Sequence, residues 1–360
     1  MKGINVVYHK IVPAGGAERG AIDIITELAG RGMPVRVVTR KFDESLFSPE
    51  IRKNIDLVLV KPKFPFVALR KLMVHDFECR AKNFCNPDWK ILTLSCLTQG
   101  ADLEDTGSGT HVKHLERRGK KPSFFDKLEI ERERLSYGRS KVIVSRSKGS
   151  AEDIVELLGE NVRSRMHVLF PSTDTERFNL DARKDRESLR REWCTLAGLQ
   201  NGFFMLFPSN DHKRKGGDLI LEALEGLPDD IRLVVASKIP IEHPRAVNIG
   251  FRREVEKLYA ASDVSVLASA YEPFGRVGVE SILCGTPTLV SDVCGCAEVL
   301  AEPGGYVFKR TVEDLRSAIL RVYEKGKANP DFLLSEPPEK SILFPYSLSK
   351  RVDKLLELME

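Results

Sequence analysis

The sequence lacks any run of about 18 consecutive apolar residues, so it predicts no membrane-spanning helix. Its first residues, MKGINVVYHK, lack the apolar core and the small-residue cleavage site of a signal peptide, and we therefore expect a cytoplasmic protein. Cysteine is scarce, and an odd total of seven favours reduced thiols over a disulfide framework. Internal repeats and low-complexity tracts are also absent. The 360 residues, 42% hydrophobic and 30% charged, instead indicate a folded chain long enough for two domains.

The formal net charge of +4 conceals a regional excess of positive charge. Residues 61–150 contain 19 Lys and Arg against 11 Asp and Glu, whereas residues 151–360 carry more acidic than basic side chains. Such an excess favours an anionic partner, which could be a phosphate group, an acidic lipid surface or a nucleic acid. An ordinary solvated charged face is the alternative.

Short β-branched runs alternate with amphipathic segments along the whole chain, which predicts an α/β fold with mainly parallel sheets. Two such series are separated by the polar segment Ser172–Gln200. We therefore predict two doubly wound domains, residues 1–170 and 171–345, and a terminal helix within 346–360 that packs back on the first domain. Ligands of such folds bind at the carboxyl ends of the strands, so the loops that follow strands are the informative ones.

A glycine pair, Gly15 and Gly16, follows the first predicted strand. Paired glycines let the backbone approach a ligand closely, and the helix that comes next offers free N–H groups to an anion. The spacing differs from the G-x-G-x-x-G of a dinucleotide fingerprint, and a plain tight turn is the alternative.

Three consecutive cations, Lys213, Arg214 and Lys215, follow the first strand of the second domain and precede two glycines and a helix. The fixed charges and the helix N-terminus act on the same point, which predicts a phosphate site. The loop is not a P-loop, because G-x-x-x-x-G-K-[ST] is missing. A solvated cluster of basic side chains is the alternative.

Two glutamates, Glu272 and Glu280, lie in a loop and in the helix that follows it. Gly275 and Gly278 leave backbone N–H groups open at the start of this helix. Carboxylates and bare amides together can hold a ligand that has both hydroxyl and phosphate groups. A purely structural role is unattractive, because buried carboxylates need such partners.

The segment from Glu272 to Glu280 resembles the two-glutamate signature of retaining glycosyltransferases of the GT-B fold, in particular their family 4. The resemblance continues through the glycine pair at residues 15–16, the basic loop at 213–216 and Gly285-Thr286-Pro287, in the expected order along nearly the whole chain. It implies two Rossmann-like domains that face a central cleft. It also implies a hexosyltransferase-type enzyme that uses a nucleotide-diphosphate sugar.

In this family the first glutamate contacts the sugar of the donor and the second binds its ribose, so the resemblance assigns these roles to Glu272 and Glu280. The phosphate-binding basic pair of the family resembles Arg214 and Lys215, which makes a metal ion or other cofactor unnecessary. Many relatives have an arginine about five residues before this lysine, where this chain has Asn210, and we expect Arg214 to replace that cation. The donor-binding residues that the resemblance implies are Gly15, Gly16, Phe251, Phe274, Gly275, Arg276 and Glu280.

A glycine-rich loop at residues 106–110 leads into His111. The loop resembles the place where bacterial relatives carry a histidine of the catalytic cleft. The resemblance therefore adds His111 to the catalytic candidates Glu272, Arg214 and Lys215. A solvent-facing histidine is the alternative.

Two basic segments, residues 61–72 and 113–121, are candidates for contact with an anionic membrane surface, which would make the protein peripheral on the inner face of the cytoplasmic membrane. The first mixes aromatic and aliphatic residues with four cations, as in helices that lie at a headgroup boundary. The second could also face a phosphorylated acceptor. An ordinary surface helix is the alternative for the first segment.

The resemblance leaves the donor and the acceptor open. UDP is the expected nucleotide of the donor, with GDP and ADP as alternatives. The expected acceptor is a glycan or a glycolipid, for which lipopolysaccharide core is the nearest parallel. A sugar-nucleotide epimerase or phosphorylase on the same fold remains an alternative, as does a non-catalytic protein that binds nucleotide or nucleic acid. Residues 111–121 contain no Phe, Tyr or Trp to stack on bases, so we expect no nucleic-acid partner. A metal site at Cys294-x-Cys296 would need a second ligand pair, which the sequence lacks.

Overall fold

The computed structural model describes residues 2–13, 16–61, 63, 70–95, 97–107 and 109–360, leaving aside the side chains of residues 16, 17, 70 and 71. The chain divides into two compact units. Unit 1 comprises residues 1–172 and 346–360, and unit 2 comprises residues 173–345. Each unit is built around its own sheet, in which all paired strands run parallel.

Unit 1 contains a seven-stranded sheet. Its strands are β1 Ile4–Val7, β2 Val35–Thr39, β3 Ile55–Leu59, β4 Lys90–Leu94, β5 Leu103–Asp105, β6 Val142–Ser145 and β7 Met166–Val168. Their order in the sheet is β3-β2-β1-β4-β5-β6-β7. The order changes direction between β1 and β4, which pair with Val6 opposite Leu92. This is the topological switch point of a doubly wound sheet.

Unit 2 contains a six-stranded sheet with the same kind of winding. Its strands are β8 Phe203–Pro208, β9 Ile231–Ala236, β10 Ala246–Asn248, β11 Val264–Leu267, β12 Thr288–Ser291 and β13 Gly305–Phe308. The order β10-β9-β8-β11-β12-β13 changes direction between β8 and β11. The loops after these two strands therefore leave the sheet in opposite directions and open a crevice at its carboxyl edge.

Helices connect the strands of both units. The helices are α1 Gly16–Gly30, α2 Pro49–Arg52, α3 Arg70–Ala81, α4 His111–Glu116, α5 Phe124–Arg139, α6 Lys148–Leu158, α7 Arg186–Ala197, α8 Gly217–Leu224, α9 Val255–Ala261, α10 Arg276–Leu283, α11 Val312–Ala328 and α12 Leu348–Glu357. No helix in the described part of the chain is long and apolar enough to cross a membrane.

Helices cover both faces of the first sheet, because successive strand residues point to opposite faces. Val6 lies in one core cluster with Ile25 of α1 and Val352 of α12, whereas Val7 lies in a second cluster with Phe77 of α3. Strands buried on both faces are read in the sequence as continuous apolar runs. The predicted α/β class with two doubly wound parallel sheets is confirmed.

The polar segment Ser172–Gln200 contains a helix that the sequence pattern does not predict, α7. The helix is mostly hydrophilic, but Trp193 is fully buried and its ring packs edge-on against Phe204 of β8, with 5.4 Å between ring centroids. Arg190 bonds to Asp263 at 2.8 Å on the same side. Arg186 pairs with the other oxygen of Asp263 at 3.2 Å, so one buried aromatic side chain and two arginines that share a carboxylate fix this helix on the second sheet.

The last helix, α12, belongs to unit 1 although it follows unit 2 in the chain. Its buried Arg351 donates to Asp105 Oδ2 at 2.7 Å and to the carbonyl oxygens of Leu169 and Phe170. Asp105 is itself buried at the end of β5. Because both charges are removed from water, breaking this hydrogen-bonded pair is costly.

We expect Arg351→Ala to destabilise unit 1 by about 3–5 kcal/mol, because it leaves the Asp105 carboxylate buried without this partner. The matched control is Lys350→Ala, which removes the neighbouring exposed cation of the same helix. Urea unfolding of both variants measures the difference. Equal stability of the two variants would contradict an anchoring role for Arg351.

Candidate functional site

The candidate site of unit 2 lies at the switch point of its sheet. The loop after β8 carries Arg214 and Lys215, and the loop after β11 carries Glu272. Parallel strands deliver both loops to the same edge of the sheet. The basic and acidic residues, which lie far apart in the sequence, therefore meet.

The contact between the two loops is an ion pair. Arg214 Nη1 donates to Glu272 Oε2 at 2.9 Å and to the carbonyl oxygen of Tyr271 at 3.1 Å. Asp211 in the same turn lies 3.3 Å from Arg214 Nε. The guanidinium is therefore held between two carboxylates. The sequence predicts Arg214 as a phosphate cation but does not predict this pairing.

Lys215 lies deeper in the site than Arg214. Its ammonium donates to the carbonyl oxygen of Pro208 at 2.9 Å. Burial lowers the pKa of Lys215 below its ordinary value, while the carboxylates of Glu272 and Glu280 favour the charged form. A poorly hydrated ammonium that is bonded to a neutral carbonyl oxygen gains from binding an anion, which makes Lys215 the stronger phosphate candidate.

A close backbone approach holds the basic loop against the end of β11. Gly216 has a φ of +78°, and a Cβ atom there would lie 2.0 Å from the carbonyl oxygen of Ala268. Only glycine fits this position. The same residue precedes α8, so the end of the basic loop coincides with the start of a helix.

Glu280 lies on α10, eight residues after Glu272. Its Oε2 accepts a hydrogen bond from the hydroxyl of Tyr259 at 3.1 Å. Burial raises the pKa of Glu280, while Arg276 and the Tyr259 hydroxyl favour the charged form. Tyr259 is a buried residue of α9 that no sequence signal identifies.

The turn into α10 is shaped by Phe274 and Gly275. Phe274 is buried, with its ring edge-on to Phe344 at 5.7 Å between centroids. Gly275 has a φ of +91°, and a Cβ atom there would lie 2.7 Å from Leu267. The side chain of Phe274 therefore anchors the turn, and the residue can reach a ligand through its backbone alone.

Phe251 follows β10 at the same carboxyl edge and is 51% exposed. The ammonium of Lys238, which follows β9, lies 5.3 Å from the centroid of its ring. An exposed aromatic face beside a cation can stack on a planar base. Lys238 is a further member of this group that the sequence does not predict.

His111 begins α4 in unit 1. Its Nε2 lies 2.8 Å from Asp126 Oδ1, and its backbone N–H donates to both carboxylate oxygens of Glu133. Both carboxylates belong to α5, which therefore orients the histidine. Of the predicted glycine pair, Gly16 begins α1 and Gly15 lies outside the described residues.

The basic segment 113–121 is partly neutralised by its own unit. Lys113 bonds to Glu116 and Glu156, and Arg117 forms a two-pronged pair with Asp153. The exposed cations that remain are followed by exposed apolar side chains at the start of α5. This basic-aromatic patch consists of Arg118, Lys120, Lys121, Phe124, Phe125, Lys127 and Leu128. Most of the segment 61–72 lies outside the described residues.

Two cysteines lie beside the loop that carries Glu272, whose backbone forms a bridge with Cys294. Cys294 and Cys296 are buried, and burial raises the pKa of Cys294 to about 12. The Cys294 Sγ lies 3.3 Å from the hydroxyl of Ser291. Within the described ranges, no three His, Cys, Asp or Glu side chains are grouped as metal ligands would be.

Comparison with known proteins finds a family match within unit 2 and relatives along most of the chain. Residues 198–332 match the family described as glycosyl transferases group 1. The chain is 29% identical to a probable transglycosylase of Burkholderia thailandensis, over 96% of this chain and 93% of that protein. It is 23% identical to the lipopolysaccharide glucosyltransferase WaaG of Escherichia coli, over 82% of this chain and 84% of WaaG. The crystal structure of Anabaena HepE in complex with UDP and glucose is similar with a TM-score of 0.69 at 18% identity, over 99% of each chain.

The similarity to HepE confirms the predicted GT-B fold of two Rossmann-like domains. The family match contains four charged residues of the unit 2 site, Arg214, Lys215, Glu272 and Glu280. The part of unit 2 that carries this site, residues 198–332, is therefore similar to the group 1 glycosyl transferases.

Proposed function

We propose that this protein is a retaining glycosyltransferase of family 4 that transfers a sugar from a nucleotide diphosphate to a glycan or a lipid-linked glycan. The observation that carries the proposal is the grouping of Arg214, Lys215, Glu272 and Glu280 at the switch point of the second sheet. Cations suit the diphosphate of such a donor, and carboxylates suit its sugar and ribose hydroxyls.

The reaction breaks the bond between the anomeric carbon and a diphosphate oxygen, so negative charge builds on the leaving diphosphate. Lys215, Arg214 and the N–H groups at the start of α10 would stabilise this charge without a metal ion. The acceptor oxygen bonds to the anomeric carbon on the face that the diphosphate leaves. Its proton passes to the leaving phosphate oxygen, and the configuration of the sugar is retained.

We propose UDP as the nucleotide of the donor, with GDP and ADP as the alternatives. The solved complex of HepE contains UDP and glucose, which supports this choice. In this chain, the exposed ring of Phe251 beside Lys238 offers a stacking surface for a base. Backbone groups of Phe274, Gly275 and Arg276 would line the phosphates.

The acceptor that we propose is a surface glycan such as lipopolysaccharide core. The similarity to a lipopolysaccharide glucosyltransferase over 82% of this chain supports it. Unit 1 would bind the acceptor and contribute His111 as its catalytic residue. The carboxylates of Asp126 and Glu133 fix the ring and the backbone of that histidine.

A lipid-linked acceptor is best reached from a membrane surface. The basic-aromatic patch suits such a surface, because Phe124 is 71% exposed and Phe125 and Leu128 are 51% and 44% exposed. Apolar side chains can enter the headgroup boundary while neighbouring cations meet anionic lipid. Each such cation contributes about 1 kcal/mol of attraction near the surface. We therefore propose reversible membrane attachment through this patch, together with the basic segment 61–72.

We expect Lys215→Ala and Glu272→Ala each to reduce turnover at least about a hundredfold. The loss of a charge-stabilising contact of this kind costs about 2.7–4 kcal/mol. The matched control is Lys213→Ala, which removes the exposed cation two residues before Lys215. The turnover of all three variants is measured as the rate of nucleotide release at a saturating concentration of the donor. Near-normal activity of Lys215→Ala or Glu272→Ala, with a folded protein, would contradict the donor-site assignment.

We expect the protein to release UDP from UDP-glucose in excess EDTA, because the basic loop supplies the charge that a metal ion would supply. GDP- and ADP-sugars are tested in parallel under the same conditions. Activity that EDTA abolishes and Mn²⁺ or Mg²⁺ restores would contradict metal independence. Failure to turn over any of the three donor classes, with a suitable glycan acceptor mixture present, would contradict the proposed function.

We expect sedimentation with vesicles to rise with the fraction of anionic lipid and to fall with salt. Lys120→Gln with Lys121→Gln should weaken it, and so should Phe124→Ser. Leu196→Ser is the control, because Leu196 is an apolar residue of unit 2 that is 57% exposed. Equal sedimentation with neutral and anionic vesicles would contradict electrostatic attachment through the patch.

A further inference from the structure

A second group of polar side chains lies at the carboxyl edge of the unit 1 sheet, apart from the residues assigned above. Three neighbouring strands, β4, β5 and β6, end there. Ser95 follows β4, Asp105 is the last residue of β5, and Arg146 follows β6. Because the strands are parallel, their ends bring these three residues together.

Arg146 has far more hydrogen-bond donors than acceptors around it. Its side chain is 16% exposed, and Nη2 donates to Ser95 Oγ at 3.3 Å. Its buried Nε lies 3.6 Å from Asp105 Oδ1 and has no hydrogen-bond partner among the described residues. A guanidinium carries five N–H groups, and buried donors are ordinarily satisfied. Arg146 is thus set up to receive an acceptor group.

The charges around Arg146 also favour the binding of an anion. Arg351 already takes one oxygen of Asp105 at 2.7 Å, so two guanidiniums share one carboxylate in a buried place. One positive charge is left over. The helix α6 begins two residues after Arg146, and its N-terminus adds to the positive potential. An anion bound at Arg146 would compensate the excess.

Ser95 is held in a costly conformation at this point. Its φ is +51°, in the left-handed region that residues other than glycine rarely adopt. A Cβ atom at Gly107 would lie 1.8 Å from Ser95 Oγ, so the glycine leaves the space that this hydroxyl occupies. Strain of this kind is concentrated at ligand sites. Because the hydroxyl oxygen accepts from Arg146, its own proton is available to an anionic oxygen.

We infer that Arg146 and Ser95 bind a phosphate monoester carried by the sugar acceptor. The planar fork of the guanidinium matches two phosphate oxygens, and the serine hydroxyl donates to one of them. The identification of the ligand as a sugar acceptor rests on the proposed function. The phosphate site itself belongs to unit 1 and uses neither Arg214 nor Lys215. It narrows the acceptor from a glycan to a phosphorylated glycan.

The test measures phosphate binding directly, in a Lys215→Ala background that weakens the donor site. Titration with inorganic phosphate and with glucose 6-phosphate is followed by calorimetry and by the ¹⁵N resonance of Arg146 Nε, which the Arg146→Lys spectrum assigns. We expect a saturable shift of that resonance with both ligands. We expect Arg146→Gln to raise Kd at least about tenfold, the loss of one charge-assisted hydrogen bond.

Two further variants keep the test independent of folding. Ser95→Ala removes a ligand without unpairing a charge, and we expect it to weaken phosphate binding several-fold. Arg163→Gln is the control, because Arg163 pairs with Glu152 and Glu160 on the surface of the same unit, and its Kd should stay within about twofold of the parent. Phosphate affinity unchanged by both Arg146→Gln and Ser95→Ala would overturn the inference and leave Arg146 a partner of Asp105.

An experiment with vesicles distinguishes a sugar phosphate from a lipid headgroup as the source of the phosphate. Binding to phosphatidic acid vesicles should not depend on Arg146. If vesicle binding depended on Arg146 while glucose 6-phosphate binding did not, the assignment to a sugar phosphate would be overturned. A protein that binds phosphate at Arg146 but turns over no donor would count against the proposed function and in favour of this site.

Discussion

The ion pair between Arg214 and Glu272 joins the two loops on which the unit 2 site is built. The residues are 58 positions apart in the chain and meet because β8 and β11 are neighbouring parallel strands. Gly216 makes the contact feasible, since any larger residue would collide with the carbonyl oxygen of Ala268. The site therefore depends on the topology of the sheet first and on its side chains second.

The same pair has a consequence for the proposed donor. Without an anion, the charges of Arg214 and Glu272 compensate each other. A diphosphate that accepts from Arg214 would compete with Glu272 and release this carboxylate toward the sugar hydroxyls. Lys215 is already paired with a neutral carbonyl oxygen, so it can take a phosphate oxygen without breaking an ion pair. Binding a phosphate oxygen therefore costs an ion pair at Arg214 but not at Lys215. The geometry favours Lys215 as the permanent phosphate ligand.

The sequence predicts the sheets well because buried parallel strands leave a direct signal. Runs such as Val35–Thr39 and Val142–Ser145 coincide with strands β2 and β6. Helix α7 has no such signal, because it is hydrophilic except where Trp193 enters the core. Prediction fails when one buried side chain, rather than a stripe of them, fixes an element.

The candidate site shows the same division between local and long-range information. Glu272, Glu280 and the basic loop are visible as local motifs, whereas the partners Tyr259, Asp211 and Lys238 are not. Ser95 gives no warning in the sequence, since serine does not signal a positive φ. Long-range pairings and strained backbone are properties of the folded chain and become visible only there.

The basic excess of residues 61–150 separates into three groups once the fold is known. Lys113 and Arg117 are bound to carboxylates of their own unit, so they add little to any external attraction. Lys120 and Lys121 are exposed beside aromatic side chains, which suits a surface. The side chain of Arg146 is mostly buried beside a strained serine, which suits a small anion. Net charge alone predicts one anionic partner, but the burial of each cation distinguishes a broad lipid surface from a single phosphate group.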